Sequence, residues 1–287
     1  DYVINVEARI TDDISGVFDG TYADGSGGSA SQVTWTSPGG QNLSAGYFDN
    51  PDSGNSLDGT YVGTTSLSQN AENGTWTISS FYVADESGNT KYYTTDELNA
   101  LGIQTTMEVS GGASDTTAPS LVSYDLSSYD IDLSNGDYVI NVEARITDDI
   151  SGVFDGTYAN GSGGSASQAR WTSPSGEQFL DAGYFDNPNS GTYLDGIYVG
   201  TTTLDQYAET GTWTLSSFLV ADEAGNTKYY TTDELNTLGI QTTMEVTGGA
   251  SDTTAPSLVA YDLSSYEIDL SNGDYEIGIQ AHITDDI

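Results

Sequence analysis

Cysteine is absent from this 287-residue chain, and basic residues are scarce. Without cysteine there is no disulfide, no thiol nucleophile and no cysteine-ligated zinc site. Only 5 Lys and Arg residues accompany 43 Asp and Glu residues, so the formal net charge is −38. A field of that sign repels nucleic acid and anionic membranes and favours a cationic partner, most simply a divalent metal ion. We therefore expect no nucleic-acid partner.

Histidine and long apolar runs are also scarce. His282 is the only histidine, so a Ser-His-Asp triad cannot be built within the chain. No apolar run is long enough to cross a bilayer, so we expect no membrane insertion in this segment. No pair of carboxylates stands out as a catalytic pair, and we expect a non-catalytic protein.

Aromatic and small polar residues are plentiful. The chain has 20 Tyr, 7 Phe and 4 Trp residues, and Thr, Ser, Gly and Val are common. This composition is typical of β-structure rather than of disorder, despite the charge. Period-2 alternation precedes each Thr-Asp-Asp-Ile motif, at residues 11–14, 147–150 and 284–287. Such alternation predicts a strand with one buried face, so paired carboxylates follow a buried strand.

The chain consists of one long repeat seen nearly twice. Residues 1–23 are identical to residues 137–159, and residues 88–99 are identical to residues 225–236. The offset is the length of a whole domain, which predicts tandem domains rather than a solenoid. The phase is set by Asp-Thr-Thr-Ala-Pro after a Gly-Gly-Ala-Ser linker. The predicted domains are residues 1–114, lacking the first strands, residues 115–251, complete, and residues 252–287, the opening of a third.

Alternating apolar and polar residues predict strands throughout the complete repeat. The segment Asn135-Gly136 predicts a hairpin between residues 129–133 and 137–147. A phase slip at Ser216 and Ser217 predicts a bulge or a change of sheet. The capping box of Thr231 and Glu234 predicts one short helix at residues 232–238, with a copy at 95–101. The other predicted strands are residues 121–126, 168–172, 198–204, 211–222, 227–230 and 241–246.

Three motifs in order resemble the tandem immunoglobulin-like, cadherin-like domains of giant bacterial surface proteins. They are Asp-Thr-Thr-Ala-Pro at 115–119, Thr-Asp-Asp-Ile-Ser-Gly-Val at 147–153, and Gly-Thr-Trp at 211–213 leading to Ala-Asp-Glu-Ala-Gly-Asn at 221–226. The resemblance covers nearly the whole chain and implies an all-β fold of tandem immunoglobulin-like β-sandwich domains, each with one added helix. Domains of that family act as stiff spacers in adhesins and matrix proteins, where calcium often rigidifies the joints.

In such a sandwich, three acidic segments of the complete repeat converge at the pole where the chain enters. Crowded carboxylates with an oxygen-only ligand set predict calcium rather than zinc, whereas the alternative is that these residues only form turns. The predicted ligands and their copies are Asp12, Asp13, Asp85, Glu86, Asn89, Asp115, Asp148, Asp149, Asp222, Glu223, Asn226, Asp252, Asp285 and Asp286. A second candidate group, for which calcium and an acidic turn are equally good interpretations, is Asp49, Asp52, Asp58, Asp186, Asn189 and Asp195.

Two functions follow from these features. The first is a calcium-rigidified spacer of an adhesin, surface filament or secreted matrix, extracellular on a bacterial cell, with neighbouring repeats or other copies as partners. The second is a module that binds a glycan or protein through the loops at 184–191 or 160–165. Near-identical repeats favour the spacer. Because the sequence begins and ends inside a repeat, either the parent chain continues on both sides or a neighbouring copy supplies the missing strands. We expect a continuous parent chain.

Overall fold

The computed structural model describes residues 2–21, 27–28, 31–157, 167–271, 273 and 275–285. Within these residues the protein is all-β, with two short helices. We call residues 2–114 the first repeat, residues 115–251 the second repeat, and residues 252–285 the third segment.

The second repeat contains two sheets. The strands are β9 (Ser120–Leu126), β10 (Asp130–Asp132), β11 (Tyr138–Thr147), β12 (Gln168–Thr172), β13 (Phe179–Tyr184), β14 (Ser190–Gly191), β15 (Asp195–Leu204), β16 (Gly211–Ala221), β17 (Thr227–Thr231) and β18 (Thr243–Thr247), and α2 is Thr232–Thr237. One sheet has the order β14-β15-β11-β9, and the other has the order β10-β18-β16-β12-β13, with β17 paired to β16. The strand pairs are antiparallel except β10 with β18, which is parallel.

The first repeat has the same plan with fewer strands. One sheet has the order β1-β5-β4, and the other has the order β3-β2-β6-β7, with β8 paired to β6. The strands are β1 (Tyr2–Thr11), β2 (Ser31–Thr36), β3 (Asn42–Phe48), β4 (Ser53–Asn55), β5 (Asp58–Leu67), β6 (Gly74–Ala84), β7 (Thr90–Tyr93) and β8 (Thr106–Val109), and α1 is Thr95–Ala100. In the third segment, β19 (Ser257–Leu263) pairs with β20 (Ile279–Thr284).

The inward side chains of both sheets of the second repeat share one hydrophobic core. Ile140 and Val142 of β11 lie in the same cluster as Trp171 of β12 and Phe218 of β16. The Trp171 indole donates a hydrogen bond of 3.1 Å to the hydroxyl of Tyr124 on β9, so the single polar atom of the indole is satisfied inside the core. The two sheets are therefore two layers around a common interior.

Several local predictions are confirmed. Thr231 and Glu234 form the reciprocal capping box, and α2 begins at Thr232 and ends at Thr237. The copy in the first repeat is α1, capped in the same way by Thr94. The register between β12 and β16 shifts opposite Ser216, which confirms the bulge. Strand β12 has the predicted bounds.

The predicted hairpin between residues 129–133 and 137–147 is wrong. Strand β10 pairs with β18, whereas β11 pairs with β9 and β15. The turn itself exists, since the Gly136 amide donates to the Leu133 carbonyl and Gly136 has φ of +109°. It carries the chain from one sheet to the other, because Ile131 and Leu133 bury their side chains in the shared core. Turn chemistry alone does not say which strands pair.

Strands β13 and β14 were not predicted. The sequence Phe-Leu-Asp-Ala-Gly-Tyr of β13 lacks β-branched residues, and residues 184–191 read as a loop because they are rich in Asn, Asp and Pro. Both strands lie at sheet edges, where pairing on one side suffices. No helix among the described residues is long and apolar enough to cross a membrane.

Candidate metal centre

Asp115 joins the first repeat to the second. The preceding residue, Ser114, adopts a left-handed conformation with φ of 59°, which turns the chain sharply at the linker. The Asp115 amide donates to the Asn70 carbonyl of the first repeat at 2.8 Å. The Asp115 carbonyl accepts a hydrogen bond of 2.6 Å from Gln41 Nε2, also in the first repeat. The backbone of Asp115 is thus held by the domain that precedes it.

The Asp115 side chain points the other way, into the second repeat. Its Oδ2 accepts from the Ser151 amide at 2.9 Å, and its Oδ1 accepts from the Thr117 amide at 3.1 Å. The residue is completely buried, with 0% of its surface exposed. One residue therefore connects the two repeats, with its backbone on one and its carboxylate in the other.

Asp148 follows the last residue of β11. Its Oδ2 accepts from the Gly152 amide at 2.7 Å and from the Ile150 amide at 3.2 Å, which closes the loop after the strand. Its other oxygen, Oδ1, is buried and has no hydrogen-bond partner. An ionised oxygen in that state is costly unless a cation or a proton accompanies it.

Asp222 follows β16 on the opposite sheet and is 2% exposed. Its two oxygens accept from the amide and the side-chain Nδ2 of Asn226, each at 2.7 Å. The same Asn226 Nδ2 donates to the Asp115 carbonyl at 3.3 Å, and Asn226 Oδ1 accepts from Gln41 Nε2 at 3.1 Å. Asn226 therefore orients Asp222 and contacts the first repeat at the same time.

These three carboxylates converge. One oxygen from each of Asp115, Asp148 and Asp222 lies within 4.8 Å of the others. Burial, together with the charges of Asp115 and Asp148, raises the pKa of Asp222 to about 7. Burial likewise raises the pKa of Asp148. The site therefore holds like charges away from water.

No basic side chain neutralises this cluster. Each Lys and Arg residue of the chain forms its ion pair with a different acid, namely Arg9 with Asp58, Lys91 with Glu97, Arg145 with Asp195, Arg170 with Asp181 and Lys228 with Glu234. A bound proton or a bound cation is left as the compensating charge. An all-oxygen donor set with one unpartnered carboxylate oxygen suits a hard divalent cation, and the cluster has no nitrogen or sulfur donor for zinc.

Other predicted ligands of the second repeat lie beside the cluster rather than in it. Asp149 is exposed, and its Oδ1 accepts from the Thr117 hydroxyl at 2.5 Å. Glu223 accepts from the Asp155 amide at 2.9 Å, and its pKa is raised by burial and by the charge of Asp155. Among the described residues, Asp115, Asp148 and Asp222 form the one acidic group close enough to hold a metal ion.

The first repeat carries two of the three acids. Asp12 Oδ2 accepts from the Gly16 amide at 2.8 Å, as Asp148 does from Gly152, and Asp85 accepts from the amide and side chain of Asn89. No counterpart of Asp115 lies beside them among the described residues. Asp13 is exposed, and Glu86 accepts from the Asp19 amide.

The third segment carries the counterpart of the linker acid. The Asp252 carbonyl accepts from Gln178 Nε2 at 2.6 Å, which repeats the contact of Gln41 with Asp115. The Asp252 carboxylate accepts from the Thr254 amide. Asp285 is exposed, and the described part of the third segment has no counterpart of Asp222. Asp286 lies outside the described residues.

The second candidate group has separate partners for most of its members. Asp58 and Asp195 form two-pronged ion pairs with Arg9 and Arg145. In both repeats one carboxylate oxygen is buried without a partner, Asp49 Oδ1 and Asp186 Oδ1, and burial raises both pKa values. Asp52 and Asn189 occupy equivalent positions in the two repeats and close the turn. Asp52 accepts from the Val62 amide at 2.7 Å, and Asn189 accepts from the Val199 amide at 2.6 Å.

Gln41 was not anticipated as part of this site. The two repeats differ around it, reading Pro-Gly-Gly-Gln in one and Pro-Ser-Gly-Glu-Gln in the other. The glutamine is nevertheless present in both, across the one-residue insertion. That retention between the repeats was the available signal. Without the fold, a surface glutamine next to a turn gave no reason to place it against the following domain.

Comparison with known proteins adds no assignment. No protein-family model matches the chain, and no curated protein matches it. Among solved structures, a leucine-rich repeat protein from Bacteroides thetaiotaomicron VPI-5482 is similar over 70% of this chain and 21% of its own length, at 12% sequence identity and a TM-score of 0.19. The chain thus spans about a fifth of that protein. A TM-score this low supports no argument about fold or function.

Proposed function

We propose that this chain is part of a non-catalytic, extracellular spacer on a bacterial cell surface or in a secreted matrix, in which calcium stiffens the joint between tandem domains. The observation that carries the proposal is the position of Asp115. Its backbone is bound by the first repeat, and its buried carboxylate lies with Asp148 and Asp222 in the second. A cation held by these oxygens would tie the linker to the pole of the following domain.

The strand order supports an immunoglobulin-like, cadherin-like sandwich as the finer fold. Lettered in chain order, β9, β11, β15 and β14 correspond to strands A, B, E and D of such a domain. The other sheet, β18-β16-β12-β13, corresponds to G, F, C and C′. The resemblance seen in the sequence motifs is to domains of this kind, which serve as spacers in surface adhesins and filaments.

The similarity of the two linkers supports a spacer. Ser114 and Ser251 share the left-handed conformation, with φ of 59° and 54°. The Asn73 amide donates to the Ser114 hydroxyl and the Thr210 amide donates to the Ser251 hydroxyl, both at 3.1 Å. A joint built twice with the same contacts would set successive domains at a constant angle, which is what a spacer requires.

A binding module remains the second candidate, and one observation favours it. Phe179, Tyr184 and Tyr229 are exposed, and the Arg170 guanidinium lies 5.6 Å from the Phe179 ring centre. Exposed aromatic rings beside an arginine form a surface that can stack on a glycan or hold a protein side chain. Of the two predicted loops, residues 184–191 are described and residues 160–165 lie outside the described residues.

The test is calcium titration of the 287-residue protein in dilute solution, followed by small-angle X-ray scattering and thermal melting. Extracellular modules bind calcium with dissociation constants of about 10⁻⁴ to 10⁻³ M, so millimolar calcium would fill the site. We expect calcium to extend and stiffen the joint and to raise the melting temperature of the second repeat. Far-UV circular dichroism should be the same in calcium and in chelator, because the core strands do not depend on the ion.

The matched variants are Asp222→Asn and Asp85→Asn. Asp85 follows β6 and Asp222 follows the equivalent strand β16, and each carboxylate accepts a hydrogen bond from an asparagine side chain. Among the described residues, only Asp222 lies in the cluster of three carboxylates. Asp222→Asn should weaken the calcium response at least about tenfold because it removes a charged ligand. Asp85→Asn should leave it unchanged. Identical scattering and melting in calcium and in chelator would show that the acids are surface charge.

A further inference from the structure

Four side chains form one row across the larger sheet of the second repeat, with a tyrosine at each end. Tyr184 of β13 faces Gln168 of β12, which faces Leu219 of β16. Leu219 in turn faces Tyr229 of β17. Because neighbouring strands lie about 4.8 Å apart, this row is about 14 Å wide. We call these four residues the tyrosine row.

The tyrosine row lies on the outer face of the sheet. The chain neighbours Phe218 and Tyr230 point into the core, so Leu219 and Tyr229 point the other way. The ring-bearing side chains at the two ends are well exposed, since Tyr184 is 63% and Tyr229 is 67% accessible. Large exposed rings grouped on one face mark an interaction surface.

Arg170 lies between the two tyrosines, one row further along the strands. It is close enough to both Tyr184 and Tyr229 to interact with them electrostatically. Its guanidinium forms a two-pronged pair with Asp181, at 2.7 and 3.0 Å. The two charges cancel, while the guanidinium keeps further N–H donors and the carboxylate keeps further acceptor sites. Hydrogen-bonding groups without net charge therefore lie between the exposed rings.

The same face leads into a cleft between the first and second repeats. The cleft has a volume of about 540 Å³, and its walls include Leu219 and Tyr229 on one side and Asn42 and Leu43 on the other. Clefts of this size at domain interfaces are common ligand sites. Hydroxyl groups along the walls come from Ser66, Ser68, Thr157 and Thr227.

The cleft does not depend on strands β9 and β10. At the next joint the second repeat lines an equivalent cleft with Leu180 and Trp213, the counterparts of Leu43 and Trp76. Among the described residues, no side chain of β9 or β10 lines that cleft. Phe179 borders the next joint and is not part of the site argued here for the tyrosine row.

The first repeat closes the equivalent place with a ring of its own. Tyr82 stands there in the position of Leu219, and its ring lies 4.8 Å from the ring of Tyr92, the counterpart of Tyr229. Tyr92 is therefore packed against a tyrosine of the same chain. In the second repeat a leucine at that position leaves the side of the Tyr229 ring open to a ligand.

The pair of Arg170 and Asp181 also distinguishes the second repeat. The first repeat has Thr34 and Ser44 at these two positions, which carry hydroxyl groups but no guanidinium or carboxylate. Together with Leu219, these differences lie on one face of one sheet. Two repeats of nearly the same sequence thus present different surfaces at this place.

We propose that the tyrosine row and the adjoining cleft bind a neutral polysaccharide. A sugar ring has an apolar C–H face that packs against a tyrosine ring, and its hydroxyl groups can exchange hydrogen bonds with Gln168, Arg170 and Asp181. A row about 14 Å wide that continues into a cleft suits a linear chain of sugars rather than a single sugar. The proposal rests on the binding module named above as the second candidate function, and it does not require the cation.

The charge and the geometry favour this partner over others. A net charge of −38 repels an anionic polysaccharide and a second copy of the chain. A cationic protein would be attracted to the acids elsewhere on the surface rather than to a face where Asp181 is paired with Arg170. An extended peptide adds to the edge of a sheet, whereas these rings lie on a face.

Affinity gel electrophoresis of the 287-residue protein tests the proposal. The gels contain dextran, mannan, xyloglucan or hydroxyethyl cellulose as neutral polymers, and alginate as the anionic one. We expect at least one neutral polymer to slow the protein and alginate to leave its mobility unchanged. The slowing should occur in calcium and in chelator alike, so that a failure of the calcium joint is distinguishable from a failure of this site. Slowing by alginate alone, or by none of the polymers, would overturn the proposal.

Matched variants in the two repeats locate the site. Tyr229→Ala should weaken the binding at least about tenfold through the loss of ring stacking, whereas Tyr92→Ala should leave it unchanged. Leu219→Tyr should also weaken it, because the new ring would cover Tyr229 as Tyr82 covers Tyr92. The first repeat accommodates a tyrosine there, and near-UV circular dichroism checks that the variant is folded. Equal effects of Tyr229→Ala and Tyr92→Ala would contradict the assignment to the second repeat.

Two further measurements separate the other partners. The double change Arg170→Thr and Asp181→Ser gives the second repeat the residues of the first, and it should weaken the binding of the neutral polymer. Light scattering coupled to size exclusion, without polymer, should give the 30.2 kDa mass of the single chain. A dimer that Tyr229→Ala disrupts would assign the face to a second copy and overturn the proposal.

Discussion

The two repeats have nearly the same sequence but different interiors. In the second repeat the buried side chains form one continuous cluster, whereas in the first they divide into three smaller clusters. The difference is the segment of β9 and β10, which supplies Tyr124, Ile131 and Leu133 to the second repeat. A strand added at the edge of a sandwich therefore determines whether the core of the whole domain closes.

The same difference changes the chemistry of identical acids. Asp85 and Asp222 each accept two hydrogen bonds from an asparagine four residues on. Those bonds lower the pKa of the accessible Asp85, whereas burial raises the pKa of Asp222 to about 7. Asp12 and Asp148 differ in the same way. The pKa of Asp12 in the first repeat is lowered, whereas the pKa of Asp148 in the second is raised. Local hydrogen bonding is set by the motif, but burial and the third carboxylate make the site.

Truncating the matched tryptophans should give the largest contrast between the repeats. Trp171 is fully buried and bonded to Tyr124, whereas Trp35 is only partly buried. We expect Trp171→Ala to destabilise the second repeat by about 3–5 kcal/mol, and Trp35→Ala to cost the first repeat clearly less. Chemical unfolding followed by hydrogen exchange would assign each loss to its repeat. Equal losses would mean that the first repeat is closed in solution.

Acid titration in chelator should separate the two aspartates next. Because the folded pKa of Asp222 is raised above its ordinary value of 3.8, its protonated form stabilises the fold below that value. This stability is lost as the pH rises from about 4 through about 7, by at most roughly 4 kcal/mol. Urea unfolding of the second repeat at pH 5 and pH 8 measures the loss, and Asp222→Asn should remove it.

Asp85 provides the control for that titration. The pKa of Asp85 is lowered in the folded protein. Any contribution of Asp85 to stability is therefore present at pH values above its unfolded pKa, and it is lost only as the pH falls toward its folded pKa. Asp85→Asn should therefore leave the change between pH 5 and pH 8 intact. A pH dependence that survives Asp222→Asn and disappears with Asp85→Asn would reverse the comparison.

Removing Gln41 or Gln178, the glutamines that bind the carbonyls of Asp115 and Asp252, should have a smaller effect on stability. The effect should also differ between the two joints. Gln41 binds the Asp115 carbonyl, Asn226 and the Glu72 amide, whereas Gln178 binds the Asp252 carbonyl and the Glu209 amide. We expect Gln41→Ala to cost about 1–3 kcal/mol, since buried groups lose their partners. Faster hydrogen exchange of the Glu72 amide would show that its hydrogen bond to Gln41 has been lost. Gln178→Ala should free the Glu209 amide without altering the Asp222 cluster.

The smallest expected effect concerns an ion pair that only the second repeat has. Arg170 and Asp181 form a two-pronged pair on the surface, where the first repeat has Thr34 and Ser44. Replacing both residues by Thr and Ser should change stability by no more than about 1 kcal/mol, because exposed ion pairs contribute little. Thermal melting at low and high salt is the measurement. A larger loss would mean that the pair supports the neighbouring aromatic surface.

Local features of the fold could be predicted because they depend on neighbouring residues. The capping box at Thr231 needs only Glu234 three residues on, and the bulge at Ser216 needs only a phase slip along one strand. Pairing could not be predicted in the same way. The turn at Asn135-Gly136 indicated a hairpin, yet the burial of Ile131 and Leu133 draws β10 to the opposite sheet.

The candidate site, too, could be predicted only in part. Sequence reasoning brought Asp115, Asp148 and Asp222 to one pole, and the structure places their oxygens within 4.8 Å. It also included Asp149 and Glu223, which are adjacent in sequence but point to Thr117 and Asp155. It missed Gln41, whose role exists only where two domains meet. Adjacent residues on an extended chain face opposite ways, so sequence proximity to a ligand is weak evidence.

The sequence alone determined the all-β class, the repeat, the charge, and the positions of the helices, because each depends on composition or on contacts within a few residues. Tertiary structure alone decided which strands share a sheet and which acids are buried away from water. Those outcomes depend on burial between segments far apart in the chain. Asp85 and Asp222 lie in nearly identical segments, yet their pKa values shift in opposite directions, because among the described residues only the second repeat has Asp115 and the strands β9 and β10 packed on this side.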